Sequence, residues 1–313
     1  MSARSRTVAV TAIGPMIWGT TYVVTSELLP PGRPLTAAVL RALPIGIVLT
    51  AAAGVLPKGR WWWRTAVLGA LNFAVFLSML FTAAYRLPGG VAATVGALQP
   101  LLVMALATVL LREQAGWRRV IAGLLGVAGV ALLVLNGDAR LDMVGVAAAA
   151  AGAGSMATGS VLVQRWGRPT SVSGFAGWQL TAGGLMLAPI ALVAEGIPSG
   201  LTGRNVAGYA YLAVIGGGLA WWLWFRGIDR LGAGPATFLS LCSPLVATTI
   251  TLLRGESMSA LQFVGAGAVI ASVVIAQRAS ARTASLPQRQ PTTPLPRRGG
   301  RPDGPARSGE VAA

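Results

Sequence analysis

Residues 87–113, LPGGVAATVGALQPLLVMALATVLLRE, and residues 231–256, LGAGPATFLSLCSPLVATTITLLRGE, are one passage written twice. Register holds through Arg86/Arg230, Leu87/Leu231, Gly90/Gly234, Ala92/Ala236, Pro100/Pro244 and Leu101/Leu245, and both copies close on Leu-Leu-Arg with a Glu. Both are too apolar to be anything but membrane spans. A duplicated membrane unit whose copies each hold a proline deep inside a span is the pattern of a carrier assembled from repeats.

The rest of the chain agrees. Of its 313 residues 54% are hydrophobic and only 11% charged, with mean hydropathy +0.66. Segments 66–84, 120–135 and 144–163 carry no charged side chain, and at 1.5 Å rise per residue a stretch of ~20 residues crosses the hydrocarbon core. The expected fold is therefore an all-α polytopic membrane protein of about ten transmembrane helices, at 7–29, 34–56, 64–85, 90–111, 118–136, 141–163, 172–194, 205–225, 233–253 and 259–277. The first span is too long, and lacks the flanks, for a cleaved signal peptide. Five spans fall in residues 1–138 and five in 139–277, with the polar turn Asn136-Gly137-Asp138 as the seam. Five is odd, so the second repeat enters the bilayer inverted relative to the first. Residues 278–313, rich in Pro, Gly, Ser and Arg, form an expected disordered basic tail.

Net charge is +16, which in a soluble chain would point to nucleic acid; its distribution here points to topology instead. With the N-terminus inside, the cytoplasmic loops collect twelve basic residues, among them Arg6, Lys58, Arg64, Arg118, Arg168 and Arg230, against Arg33, Arg86, Arg140, Arg204 and Arg254 outside. The positive-inside rule then places both termini in the cytoplasm of a plasma-membrane protein. No nucleic-acid partner is expected; lipid is, with anionic inner-leaflet lipid a partner for the tail. A homo-oligomer is left open. The lone Cys242 forms no intramolecular disulfide and reads as a small buried thiol.

The interior positions decide what such a fold does. Pro100 and Pro244 lie about ten residues into their spans, so each is expected to kink its helix near the midplane and free the carbonyl four residues earlier, at Gly96 and Ser240. Bared carbonyls are tolerated only against protein or a wet cavity. Gln99 and Ser243 precede the two prolines at matched positions, and Asn72, Ser155, Thr158 and Gln179 lie at similar depth; such groups either line a cavity or tie helices together. Gly123, Gly126 and Gly129, and again Gly265 and Gly267, read as close-packing faces. Arg41, inside the second span, either snorkels outward, pairs with Glu27, or serves as counter-charge to an anionic substrate. Trp61, Trp62, Trp63, Trp117, Trp166 and Trp224 fall at the interfacial belt, whereas Trp18, Trp178, Trp221 and Trp222 lie deeper and need a partner for the indole N–H.

The chain has no histidine, and no Asp or Glu stands near a midplane. Obligatory proton coupling through an embedded carboxylate or histidine is thus unsupported. Paired aspartates, metal clusters and Ser/His dyads are missing as well, so neither an intramembrane enzyme nor a cofactor or metal is implied.

WGTTYVVTSELLP (18–30) with LTAAVLRA (35–42), ALQPLLVMALATVLLRE (97–113) with GLLGVAGVALLV (123–134), and WQLTAGGLMLAPIAL (178–192) with LCSPLVATTITLLRGE (241–256) resemble the EamA-type repeats of the drug/metabolite transporter superfamily. The likeness covers residues 7–277. It implies an inverted-repeat carrier with a central cavity, to which Trp18, Tyr22, Asn72, Gln99, Trp178, Gln179 and Ser243 would contribute. Together with Arg41, Pro100 and Pro244 these are the expected cavity residues. The expected activity is export of a small amphipathic metabolite, such as an amino acid, by alternating access. A multidrug extruder is the alternative within transport, and a non-transporting sensor or scaffold the alternative outside it.

Overall fold

The computed structural model describes residues 3–86, 95–114, 116–134, 142–253 and 259–284, with residues 22, 84, 85, 133, 134, 251 and 282–284 described in their backbone alone. Every regular element among them is helical. The first span is bent: α1 (Ala3–Gly19) gives way at Thr20 to α2 (Thr21–Leu28). Next come α3 (Pro34–Ala53) and α4 (Trp61–Gly69), the latter running through a π-helical turn, Ala70–Val75, into α5 (Phe76–Arg86). Then follow α6 (Gln99–Leu111), α7 (Trp117–Val134), α8 (Met143–Trp166) and α9 (Val172–Glu195). The eighth span repeats the build of the third: α10 (Gly203–Tyr211) passes through a second π turn, Leu212–Leu219, into α11 (Ala220–Leu231). Last are the short α12 (Ala233–Thr237), a 3₁₀ turn at Phe238–Leu241, α13 (Cys242–Leu253) and α14 (Ala260–Ala284).

Among the described residues, eight helical stretches of 18 to 29 residues are long and apolar enough to span a membrane, with Gln99–Leu111 a shorter apolar helix beside them. The expected spans 90–111 and 118–136 correspond to α6 and α7; residues 90–94, 135–136 and the seam at 136–138 lie outside the described residues. Helices are forced on these segments because lipid offers no partner for a backbone N–H or C=O, and an α-helix satisfies both internally. Caps mark where the chain leaves the core. Asp142 accepts from Val144 and Gly145 at the start of α8, Ser171 from Gly174 at the start of α9, and Thr202 and Asn205 form a reciprocal capping box at α10. At Gly54, φ is +63°, which ends α3.

The tenth span runs further than expected: α14 continues past 277 to Ala284. Ala279 and Ala281 favour helix. Residues 285–313, most of the expected tail, lie outside the described residues.

Packing pairs the halves. The two most extensive helix contacts are α3 on α9 and α7 on α14, the second with the seventh span and the fifth with the tenth. The third span meets the sixth as the eighth meets the first, and the fourth meets the sixth as the ninth meets the first. Exchanging each span for the one five places on maps these contacts onto themselves. Small residues allow the close crossings: Gly46 lies on Leu180 and Thr181, Gly184 on Leu43, and Gly129 on Gly265 and Val269. Gly123 instead faces Leu101 and Met104 of α6, and Gly267 faces open space, so the expected glycine faces divide between two neighbours and the outside. Exposed Ile47, Val109, Leu185, Val193 and Phe263 give the bundle an apolar exterior for lipid.

Candidate functional site

The two π turns sit at matched positions and are engaged in matched ways. In the register that pairs Arg86 with Arg230, Asn72 of the first turn corresponds to Gly216 of the second. Arg41 and Gln179 each stand seven residues after the first residue of α3 and α9. Gln179 reaches the first turn, its Oε1 accepting from Asn72 Nδ2 at 2.9 Å; Arg41 reaches the second, its Nη2 donating to the Gly216 carbonyl at 3.2 Å. A π turn adds a residue to a helical turn and disturbs the regular backbone ladder, which is why such turns recur at functional sites.

Around Gly216 the geometry is convergent. Trp18 Nε1 donates to the same carbonyl at 3.1 Å, and Arg41 Nη1 reaches Thr21 Oγ1 at 3.4 Å. Arg41 is only 3% exposed, so it does not snorkel. The Glu27 carboxylate lies 3.6 Å from Arg204 Nη2 on α10. The first span breaks at Thr20, between α1 and α2. There Thr20 Oγ1 donates to the Ile17 carbonyl and accepts from the Tyr211 hydroxyl at 2.7 Å. That break brings Thr21 towards Arg41.

Around Asn72 the match is polar and fully buried. Asn72 is 1% exposed and Gln179 0%, Gln179 Nε2 donates to the Phe175 carbonyl, and Ser155 Oγ donates to the Leu71 carbonyl at 2.7 Å. Gly159 of α8 leaves the room for the Asn72 carboxamide, since a Cβ there would overlap it.

Between the two turns lies an aromatic cluster. Trp221 has Phe73 at 4.5 Å, Trp18 at 4.8 Å and Phe225 at 5.4 Å between ring centroids, and Trp224 lies 5.3 Å from Trp18. Trp221 and Trp224 are buried, and neither indole N–H has a hydrogen-bond partner among the described residues. An orphaned buried donor costs about 1–3 kcal/mol, and native interiors keep few of them without a reason. Trp224 was expected in the interfacial belt; it is instead wedged into this cluster, because α11 turns residues 221, 224, 225 and 228 inward together. Exposed Trp62, Trp63 and Trp117 do fit the belt, and Arg64 lies over the rings of Trp61, Trp63 and Trp166.

The remaining expected cavity residues distribute as follows. Pro100 does not kink a continuous helix, whereas Pro244 lies within the helical run Ala233–Ile250. Pro100 is in the first turn of α6 after a non-helical turn at 97–98, and Pro244 follows the 3₁₀ turn at the start of α13. At a helix start the missing proline N–H is no loss, so breaking the helix is cheaper than bending it. Gln99 is 7% exposed and its Nε2 has no partner in the described structure. Ser243 is half-buried with its carbonyl against Gly19 of α1, and it forms no hydrogen bond with Gln99 among the described residues. Trp178 is spent on structure: its Nε1 donates to the Val55 carbonyl at 2.7 Å, beyond the end of α3 and outside the Trp18 cluster. Trp222 turns outward beneath Arg226, whose guanidinium is 5.4 Å from the ring centroid. The side chain of Tyr22 lies outside the described residues. Gly216, Thr21, Phe73 and Trp224 escaped the sequence reading, although Gly216 was within reach by extending the Arg86/Arg230 register back to Asn72.

Bent and broken spans, paired π turns and a buried polar-aromatic centre inside an apolar helical shell define a multi-pass membrane transporter. Residues 6–135 and 143–277 each match the EamA-like transporter family, and the chain belongs to that family within the drug/metabolite transporter superfamily. It is 43% identical to Protein PecM of Dickeya dadantii (strain 3937), over 84% of this chain and 89% of that protein. It is 29% identical to the uncharacterized inner membrane transporter YedA of Escherichia coli (strain K12), over 83% of this chain and 87% of that one. A solved crystal structure superposes with a TM-score of 0.76, covering 90% of this chain and all of the other, at 22% identity; that likeness establishes the fold.

Proposed function

We propose that the chain exports a small amphipathic metabolite with an aromatic or apolar body and an acceptor or anionic end. It works by alternating access of residues 1–138 against 139–277, in a plasma membrane with both termini cytoplasmic. The observation that carries this reading is the Trp18–Arg41–Gly216 junction beside the aromatic cluster. A guanidinium and an indole N–H share one carbonyl there, and two more indole N–H groups lie orphaned next to it. A ligand oxygen that replaced the carbonyl would take donors already held in place, and the rings would stack on its apolar body. The π turns and broken helices supply segments whose backbone bonding can change without melting a span.

Purified chain reconstituted in liposomes tests this when offered a panel of amino acids, aromatic acids and organic cations. Flux of a few acceptor-bearing or anionic aromatics is the expected result, whereas flux of none, or of cations alone, contradicts it. Resistance to several unrelated cationic drugs would favour the multidrug alternative, for which the greasy Trp221–Phe73–Phe225 face is the supporting observation.

A further inference from the structure

A second constellation lies away from this centre, where the first turns of α1 run beside the last turns of α11. Arg6, Arg226 and Arg230 line a cleft of about 190 Å³ there, with Thr7 and Val10 among its other walls. None of the three guanidiniums has an ion pair or hydrogen bond among the described residues. Asp229, the acid next to them in sequence, is held by Arg168 at 3.3 Å, and the Thr7 hydroxyl is committed to the Ala3 carbonyl. Topology accounts for an excess of arginine at one end of a membrane protein. It does not account for three from two helices converging on one concavity, where their mutual repulsion opposes the packing.

The surface next to the cleft is apolar. Leu219, Trp222, Arg226 and Arg230 share one face of the eighth span by their spacing, as Arg6, Ile13 and Met16 do on α1. Leu219, Ile13 and Met16 are 42%, 45% and 46% exposed. Positive charge at the helix ends thus continues into exposed hydrocarbon-compatible strips on both walls.

We infer that this cleft seats the phosphate of an anionic phospholipid headgroup, with the acyl chains lying along the Ile13–Met16 and Leu219–Trp222 strips. Arginine suits the task, because its planar donors take phosphate oxygens in pairs and its weak hydration lowers the cost of partial burial. Basic pockets between spans bind headgroups in this way. The apolar strips favour a lipid over a free anion of the same chemistry.

The test is native mass spectrometry of the full-length detergent-solubilised protein, titrated with phosphatidylglycerol and with phosphatidylcholine of the same acyl chains. Wild type is expected to bind phosphatidylglycerol at least tenfold more tightly. The triple change Arg6→Gln, Arg226→Gln, Arg230→Gln removes that preference, while Lys at the same three positions keeps most of it. Removing three exposed arginines elsewhere, Arg60→Gln, Arg118→Gln and Arg165→Gln, changes it less than threefold, and millimolar inorganic phosphate does not displace the lipid. Gel filtration establishes that each variant is folded. Equal losses in the two glutamine triples mean diffuse attraction and overturn the site. Displacement by phosphate overturns it in favour of a soluble anion, and equal binding of the two lipids overturns it outright.

Discussion

Arg41 donates to the carbonyl of Gly216 at 3.2 Å, tying the second span to the π turn of the eighth. The same carbonyl accepts from Trp18, so it is not stranded when the guanidinium goes. Arg41→Gln is therefore expected to cost no more than about 1.5 kcal/mol in unfolding experiments, yet to lower export at least tenfold if the guanidinium takes the ligand's oxygen. Side-by-side denaturation and flux measurements separate the two effects. A loss of export matched by an equal loss of folded protein would assign Arg41 to structure alone.

Gly159 and Asn72 are complementary in size. A methyl at Gly159 overlaps the Asn72 carboxamide, and overpacking of this kind costs about 1–3 kcal/mol. Gly159→Ala is expected to destabilise the protein, and adding Asn72→Ala to recover part of the loss although Asn72→Ala alone is itself destabilising. A double-mutant cycle measures the coupling. Strict additivity would mean that α8 and the first π turn are not packed as described.

Trp221 separates ring from N–H. Trp221→Phe keeps most of the stacking on Phe73 and Trp18 but removes an orphaned donor. Thermal stability is expected to stay level or rise by up to about 1 kcal/mol, while flux falls. Trp221→Ala, which opens a cavity, costs about 3–5 kcal/mol. Wild-type flux in Trp221→Phe would show that the indole N–H does not meet the substrate.

Asp142 gives a pH signature outside the membrane core. The Gly145 backbone N–H, aided by the Arg86 guanidinium at 3.2 Å, holds its carboxyl below the usual 3.8. A carboxylate with a lowered folded-state value stabilises the fold above its unfolded value, and the contribution is lost as pH falls through the folded one. Wild type is thus expected to be slightly more stable than Asp142→Asn at pH 7, with the difference shrinking as pH falls below the ordinary 3.8 and through the lowered folded-state value. A difference that does not change as pH falls from 7 into the acid range would assign the effect to something other than this charge.

The architecture was readable because its causes are local. Charge-free stretches near twenty residues long must be helices in lipid, and the Arg86/Arg230 register exposed the duplication. What stayed hidden depends on packing or on a break in regular geometry. The π turns at Ala70–Val75 and Leu212–Leu219 have no compositional mark. Arg41 was placed by its depth along the second span, which does not reveal that the break of the first span at Thr20 sets Thr21 beside it. Pro100 and Pro244 were rightly singled out, but a proline inside an apolar run does not say whether it bends one helix or starts another. Trp224 looked like a belt residue from its nearness to Arg226 and was placed in the core by the face α11 presents.

The account's central claim is that the polar-aromatic junction at Trp18, Arg41 and Trp221 handles an exported metabolite. Metabolite profiles inside and outside cells test it most directly, compared among cells without the protein, with wild type, and with the Arg41→Gln, Trp221→Phe double variant at matched membrane abundance. The prediction is that wild type moves one or a few small acceptor-bearing amphipathic compounds to the outside and that the variant does not. Identical profiles with and without the protein, or a variant that exports like wild type, would contradict it.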